Sequence, residues 1–312
     1  MMTRGPYMLV YFAAILVFLT PLLQPYMAFT DPGGGEGRVV LATTTIIWDF
    51  ARNVAGPSWR VEYLVPPGRD PHTFEPTPRD IVKAAEATLI LYNGFTIDEW
   101  ILRLVKASSK ARVVRVTEGL EQYALIVPDG PYAGRMDPHM WMDVGLAIRY
   151  VENIRDAFIE LDPAGAEGYR ERAEEYIGKL KALDAWIREE VAKIEPQRRL
   201  LFTQENAFQY FARQYNFKII GYFYSMITEL EPSPLDVARA QSRVEGSGLC
   251  VFFVESTLSP RVMEAFASRL RGRVAGKLYT DSLGPAELGL DNYISVMQFN
   301  VETIVRELSR WC

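Results

Sequence analysis

An α/β fold is predicted, with two lobes built on parallel sheets and joined by a single long helix. Three observations predict it. Short apolar, strand-like runs alternate with helical patterns over residues 39–116, which implies βαβ units. The same alternation resumes over residues 200–308. Between the two stretches one helical periodicity runs to Glu195 and stops at Pro196.

In chain order, Val39–Ala42 reads as a buried strand and Thr43–Ala55 turns helical. Val61–Val65 is a second strand, and it runs into the loop PPGRDPHTFEPTP. Thr77 then N-caps a helix with Pro78 in its first turn. Strands at Thr88–Tyr92 and Val113–Val116 enclose a helix over Ile97–Lys106. A Pro- and Gly-containing loop fills 118–136, and a helix follows over Val144–Glu160. Asp162 and Pro163 read as the N-cap and N1 of the long helix. Tyr169, Ala173, Tyr176, Leu180, Leu183, Ile187, Val191 and Ile194 recur at three- and four-residue steps along it. Unbroken, it would span roughly 50 Å, enough to lie across two lobes, with Gly165, Gly168 and Gly178 as its weak points. Strands at 200–202, 217–220, 249–254 and 276–279 then alternate with helices at 207–214, 234–244, 260–270 and 293–308. The expected division is 38–140 for the first lobe, 141–196 for the helical connector and 197–312 for the second lobe.

Residues 1–30 stand apart. Arg4 is their only charge, and Tyr7–Leu23 is almost wholly apolar, as in a secretory signal or an uncleaved N-terminal anchor. No cysteine follows the run to serve as a lipoprotein attachment site. Residues 31–37, DPGGGEG, read as a flexible linker. The composition is that of an ordinary globular protein, 49% hydrophobic and 23% charged. A net charge of −5 argues against a nucleic-acid partner. The two cysteines, Cys250 and Cys312, are too few for a disulfide framework. Cys250 sits in a strand-like run and is expected to pack as a small hydrophobe.

The chain holds two histidines, His72 and His139, and both follow Asp-Pro, with an aromatic residue two positions later. Proline fixes φ, and the residue before it is biased to extended geometry, so each loop can hold an imidazole in one direction. A strand-end histidine is ordinarily a hydrogen-bonding loop residue; two in one frame point to loops converging on a metal ion. His72 follows a strand, where parallel sheets bind ligands. Two imidazoles do not complete a site. Glu205 and Asp281, each just beyond a strand of the second lobe, can face the same cleft. Each also has a local reading, Glu205 as a helix-start acid and Asp281 as a turn residue. Asp70 and Asp137 suit loop capping or acceptance from the imidazoles. Trp141, Phe74 and Tyr279 suit packing.

The segments VPPGRDPHTFEPTP, YNGF, DPHMWMD, LDPAGAEGY, FTQENAFQYFARQY, EPSPLDVA, VFFVES and LYTDSLG occur in this order. Together they resemble the metal-binding solute-binding proteins of zinc and manganese ABC importers, over nearly all of 38–312. The resemblance implies Rossmann-like lobes with the metal in the interlobe cleft, held by His72, His139, Glu205 and Asp281. It also implies an exported, extracytoplasmic binding protein rather than an enzyme. Its partners would be an ABC permease and its ATPase, the membrane would be met through the N-terminal segment, and a monomer is expected. Glu75, Glu231 and Glu255 fit either surface charges or contacts to a permease. Two carboxylates beside two imidazoles favour Mn²⁺, with Zn²⁺ and Fe²⁺ as alternatives; the His-rich loop frequent in zinc members is missing between His72 and His139. The competing functions are a metal-dependent hydrolase or oxygenase, and a surface adhesin with a structural metal.

Overall fold

The computed structural model describes residues 38–108, 110–225 and 232–311. The expected leader or anchor at 1–30, the linker at 31–37, Glu231 and Cys312 lie outside the described residues. Among the described residues no helix is long and apolar enough to cross a membrane.

Strands β1 (Val39–Ala42), β2 (Arg60–Tyr63), β3 (Leu89–Tyr92) and β4 (Arg112–Arg115) form a parallel sheet in the order β2-β1-β3-β4. Successive side chains of a strand face opposite ways, and the cores follow that rule. Val40, Ala42, Leu89 and Leu91 pack into the main core with α1 (Thr45–Ala55) and α4 (Val144–Leu161). Leu41 and Ile90 face the other way, onto α2 (Pro78–Glu86) and α3 (Trp100–Ser108). As expected, Thr77 precedes α2 with Pro78 behind it, and Asp80 accepts hydrogen bonds from the Thr77 amide and hydroxyl at 2.8 and 2.7 Å. The strand order reverses between β1 and β3, so a crevice opens at their carboxyl ends.

The second half departs from a single sheet. β5 (Leu200–Phe202) pairs with β6 (Lys218–Gly221), and β7 (Val251–Glu255) pairs separately with β8 (Arg273–Leu278). β5 abuts β7, but at their carboxyl ends side chains make the junction. The Glu255 amide donates to Gln204 Oε1 at 3.1 Å, and the Glu255 carboxylate accepts from the amides of Gln204 and Glu205. Behind the strands, Phe202, Phe223, Phe252 and Phe266 form a separate apolar cluster, backed by α7 (Pro234–Val244) and α8 (Arg261–Arg269).

The long helix is α5 (Ala166–Ala192), 27 residues and roughly 40 Å, shorter than its periodicity suggests. Pro163–Gly165 form a separate 3-10 turn. The Asp162 carboxylate serves Tyr169 Oη and Arg38, each at 2.8 Å, instead of capping α5, and Gly165 is the N-cap. Gly168 and Gly178 do not interrupt it. The eight apolar residues expected along its face are all buried, and Ile177 joins them. α5 packs against α1 and α4 of the first half, and against α6 (Gln209–Tyr215) and α9 (Tyr293–Trp311) of the second. Where it crosses α1 and α9, the fully buried Asp49 accepts from Tyr176 Oη and from the Tyr293 amide, each at 2.9 Å, and from Arg52 at 2.8 Å.

Cys250 corrects the expectation of a plain small hydrophobe. It is half-buried against the main core and disulfide-bonded. The strand-like run around it signalled packing, and local patterning carries no signal for a disulfide.

Candidate metal site

Three of the four candidate residues leave the carboxyl ends of strands: His72 follows β2, Glu205 follows β5 and Asp281 follows β8. His139 arrives by a longer route. The loop after β4 folds back on itself through an antiparallel bridge between Ile126 and Met136. It then delivers His139 at the entrance to the 3-10 turn Met140–Met142.

The duplicated Asp-Pro-His frames have one physical basis. In each, the Asp side chain accepts the amide of the histidine two residues on, Asp70 to His72 at 2.8 Å and Asp137 to His139 at 2.9 Å. This Asx-type turn, stiffened by the intervening proline, sets the direction of the ring. Asp137 Oδ1 also lies 2.8 Å from His139 Nδ1, which presents Nε2 to the cleft. The ring packs edge-on against Trp141, whose Nε1 donates to the Thr280 carbonyl at 2.9 Å. That bond links the His139 segment to the residue before Asp281.

The four side chains meet. One ligand atom from each of His72, His139, Glu205 and Asp281 lies within 4.8 Å of all the others. His72 Nε2 is 3.3 Å from His139 Nε2 and 3.2 Å from Glu205 Oε1. His139 Nε2 is 3.3 Å from both Glu205 Oε1 and Asp281 Oδ1. Donors about 2.1 Å from a common centre sit about 3.4 Å apart in a tetrahedron, so these edges are the right size to surround a cation. The side chains are almost fully shielded from solvent, His72 the most exposed at 6%.

The electrostatics are those of a cation cage. Both Glu205 carboxylate oxygens and Asp281 Oδ1 are buried without a hydrogen bond, a cost of about 1–3 kcal/mol each if nothing compensates. Burial opposes protonation of His72, but Glu205, Asp281 and Asp70 outweigh it and raise its pKa above the ordinary imidazole value. Burial likewise opposes His139, which Asp137, Asp281 and Glu205 push well above that value. Burial would raise Glu205, yet the two imidazoles hold it below the usual carboxylate range. Asp281 is pushed up, by burial first and by the Glu205 charge second. Protons on the rings thus partly supply the positive charge that the carboxylates face.

A profile of the family described as zinc-uptake complex component A, periplasmic, matches residues 40–307. The chain belongs to this family. It is 38% identical to the iron-binding protein YfeA of Yersinia pestis over 293 residues, covering 94% of this chain and 93% of that one. It is 35% identical to the manganese-binding lipoprotein MntA of Halalkalibacterium halodurans over 276 residues, covering 88% and 90% of the two chains. Among solved structures it resembles the periplasmic zinc-binding protein TroA of Treponema pallidum, with a TM-score of 0.81 and 29% identity, over 88% of this chain and 99% of that one.

The supporting residues were less legible than the four that meet. Glu255, read as a surface charge or permease contact, is instead fully buried behind Glu205. It accepts the Gln204 amide at 2.9 Å and the Glu205 amide at 3.1 Å, and so seats the turn that carries Glu205. Burial, and after it the charge of Glu205, push its own pKa well up. Glu75 is exposed. Asn93 of the YNGF segment donates to the Pro138 carbonyl at 3.1 Å and accepts from Tyr150 Oη at 2.7 Å, which braces the loop beside His139. Trp141, Phe74 and Tyr279 pack as expected, against His139, Trp100 and Phe299.

Proposed function

We propose that this protein captures one divalent transition metal outside the cytoplasm and delivers it to the permease and ATPase of an ABC importer. The metal is cargo, and its ligands are His72, His139, Glu205 and Asp281. The observation that carries the reading is the set of buried carboxylate oxygens without hydrogen bonds, facing two imidazole nitrogens at 3.2–3.3 Å. A structural role for these groups would have supplied donors to them. Four ligands, two of them able to bind through both oxygens, can close the coordination shell, whereas a catalytic metal keeps an open position. Binding without turnover fits this arrangement better than a hydrolase or an oxygenase does.

Two imidazoles and two carboxylates make a mixed donor set, hard enough for Mn²⁺, which we take as the cargo ahead of Fe²⁺ and Zn²⁺. The three relatives are named for iron, manganese and zinc, so ligand chemistry and metal supply decide among them. We further propose that residues 7–23 direct the chain to the outer face of the membrane and hold it there. The folded part then divides into lobes at 38–140 and 197–312 around the connector at 141–196, and works as a monomer. The test is metal analysis of protein purified without added metal, followed by thermal shift with Mn²⁺, Fe²⁺ and Zn²⁺. One equivalent of metal, bound reversibly and lost in His72→Ala, is expected. A His72→Ala variant that binds one equivalent as the parent does overturns the ligand set.

A further inference from the structure

We infer that Gln209 is a positioning residue for the metal site: through Asp137 it fixes the orientation of His139 and ties it to the seat of Glu205. This rests on the proposal that His139 and Glu205 are ligands. Asp137 divides its carboxylate between two neighbours. Oδ1 faces the His139 amide at 2.9 Å and Nδ1 at 2.8 Å, while Oδ2 accepts from Gln209 Nε2 at 2.5 Å. A carboxylate held at one oxygen keeps broad freedom about its last torsion. The bond from Gln209 removes that freedom, and the plane of Asp137 then sets the plane of the imidazole. His139 Nε2 in turn stands 3.3 Å from Glu205 and from Asp281.

The position of Gln209 in the chain gives this bond its consequence. Gln209 is the first residue of α6 and follows Glu205 by four residues. One short piece of the second half therefore places a carboxylate in the site and an amide on the support of a first-half imidazole. Tyr210 reinforces the link by donating to the Asp137 carbonyl at 2.8 Å and accepting from the Leu125 amide at 2.9 Å. A shift of residues 205–210 moves Glu205 and releases or tightens His139 together. Gln209 borders a surface cavity of about 300 Å³ with Asn206 and Tyr222, so its side chain can be changed without opening a hole in the core.

The experiment compares the parent, Gln209→Leu, Gln209→Glu and His139→Ala at pH 8. Mn²⁺ affinity is measured by competition with a chelating indicator, the visible spectrum of the Co²⁺-loaded protein reports ligand geometry, and the metal-free Tm reports folding. Gln209→Leu should bind about tenfold more weakly, at the low end of the effect for groups that support metal ligands. Its Co²⁺ spectrum should shift, while its metal-free Tm should fall by no more than the few degrees that one unmet acceptor costs. Gln209→Glu should bind more weakly still, because an acceptor then faces Asp137 Oδ2. A side chain that only fills space predicts the reverse order, since Glu is the closer match in shape. That reverse order, or parental affinity and spectrum in Gln209→Leu, overturns the inference. Parental affinity in His139→Ala would instead sink the ligand assignment, so the two failures are distinguishable.

Discussion

Replacing Asp281 by Asn should make the metal-free protein more stable and the metal-loaded protein less so. Asp281 is 2% exposed, and its Oδ1 has no hydrogen bond. Its Oδ2 lies 3.4 Å from the Thr280 hydroxyl. Burial, and behind it the charge of Glu205, raise its pKa, so the charged form is a burden when no cation is present. Asparagine keeps the shape, removes the charge and offers an N–H toward Glu205, one of whose oxygens lies within the same 4.8 Å cluster. Relief of one unmet buried acceptor is worth about 1–3 kcal/mol, and each kcal/mol moves Tm by about 2–4 °C in a domain approaching this size. Against this, metal at a hundred times Kd adds about 2.7 kcal/mol to the parent, and on the proposed ligand set most of that is lost with the Asp281 carboxylate. The gain depends on pH in a defined direction. A carboxyl raised by folding costs nothing where both states are protonated, below about 3.9, and costs most above its folded value. The advantage of Asn should therefore be present at pH 8 and fade toward pH 4. Thermal melts in chelator and in excess Mn²⁺ at both pH values measure each part. A metal-free variant that melts below the parent at pH 8, or an equal Mn²⁺ shift in both proteins, would refute the reasoning.

Burial pushes Asp98 up to about 6, although Thr43 Oγ1 and the Asn93 and Gly94 amides donate to it. That gap of about two pH units is worth about 3 kcal/mol, absent below about 3.9 and complete above about 6. Relative to Asp98→Asn, the parent should gain about that much stability between pH 7 and pH 4, and parallel urea-melt profiles would exclude it. Glu255→Leu strips the acceptor from the Gln204 and Glu205 amides. At about 1–3 kcal/mol for each it should lose about 2–6 kcal/mol and most metal affinity, and a variant with parental urea stability would show that the bonds are dispensable. Thiol reductant should lower the parent Tm to that of Cys250→Ser, a loss of about 2–5 kcal/mol, and a Tm indifferent to reductant would contradict the bond at Cys250.

The residues that meet at the cleft were legible because each announces itself locally. His72 and His139 share an Asp-Pro-His turn, and Glu205 and Asp281 sit just past apolar strand runs. The eight strands among the described residues fall within a few residues of their expected places for the same reason. What failed depends on partners far along the chain. Glu255 looks like any strand-end acid until the chain brings residues 204 and 205 over it, fifty positions away. Gln209 and Asp137 are 72 residues apart, and no periodicity encodes their bond. The second half holds two two-stranded sheets, and Gln204 and Glu255 join their carboxyl ends through side chains instead of a strand ladder, a contact that no local pattern encodes. The long helix starts later than expected, at Ala166, where Asp162 serves Arg38 and Tyr169, a competition between partners that a capping signature does not contain. At its other end it stops at Ala192, short of Glu195.

Asp49 bears on how cargo leaves. Rocking the two halves apart about α5 would strip this buried carboxylate of its bonds to Tyr176 and Tyr293 and leave it Arg52 alone, at about 1.5–3 kcal/mol for each bond lost. The loops that carry His72 and Asp281 are fastened far more lightly. The Gly68 amide donates to Ser282 Oγ at 2.8 Å, and the Leu283 amide donates to Thr45 Oγ1 at 2.9 Å, each worth about 1 kcal/mol. Unzipping that pair of loops is the cheaper exit, so the importer can empty its delivery protein by prying at one rim while the frame behind it stays rigid.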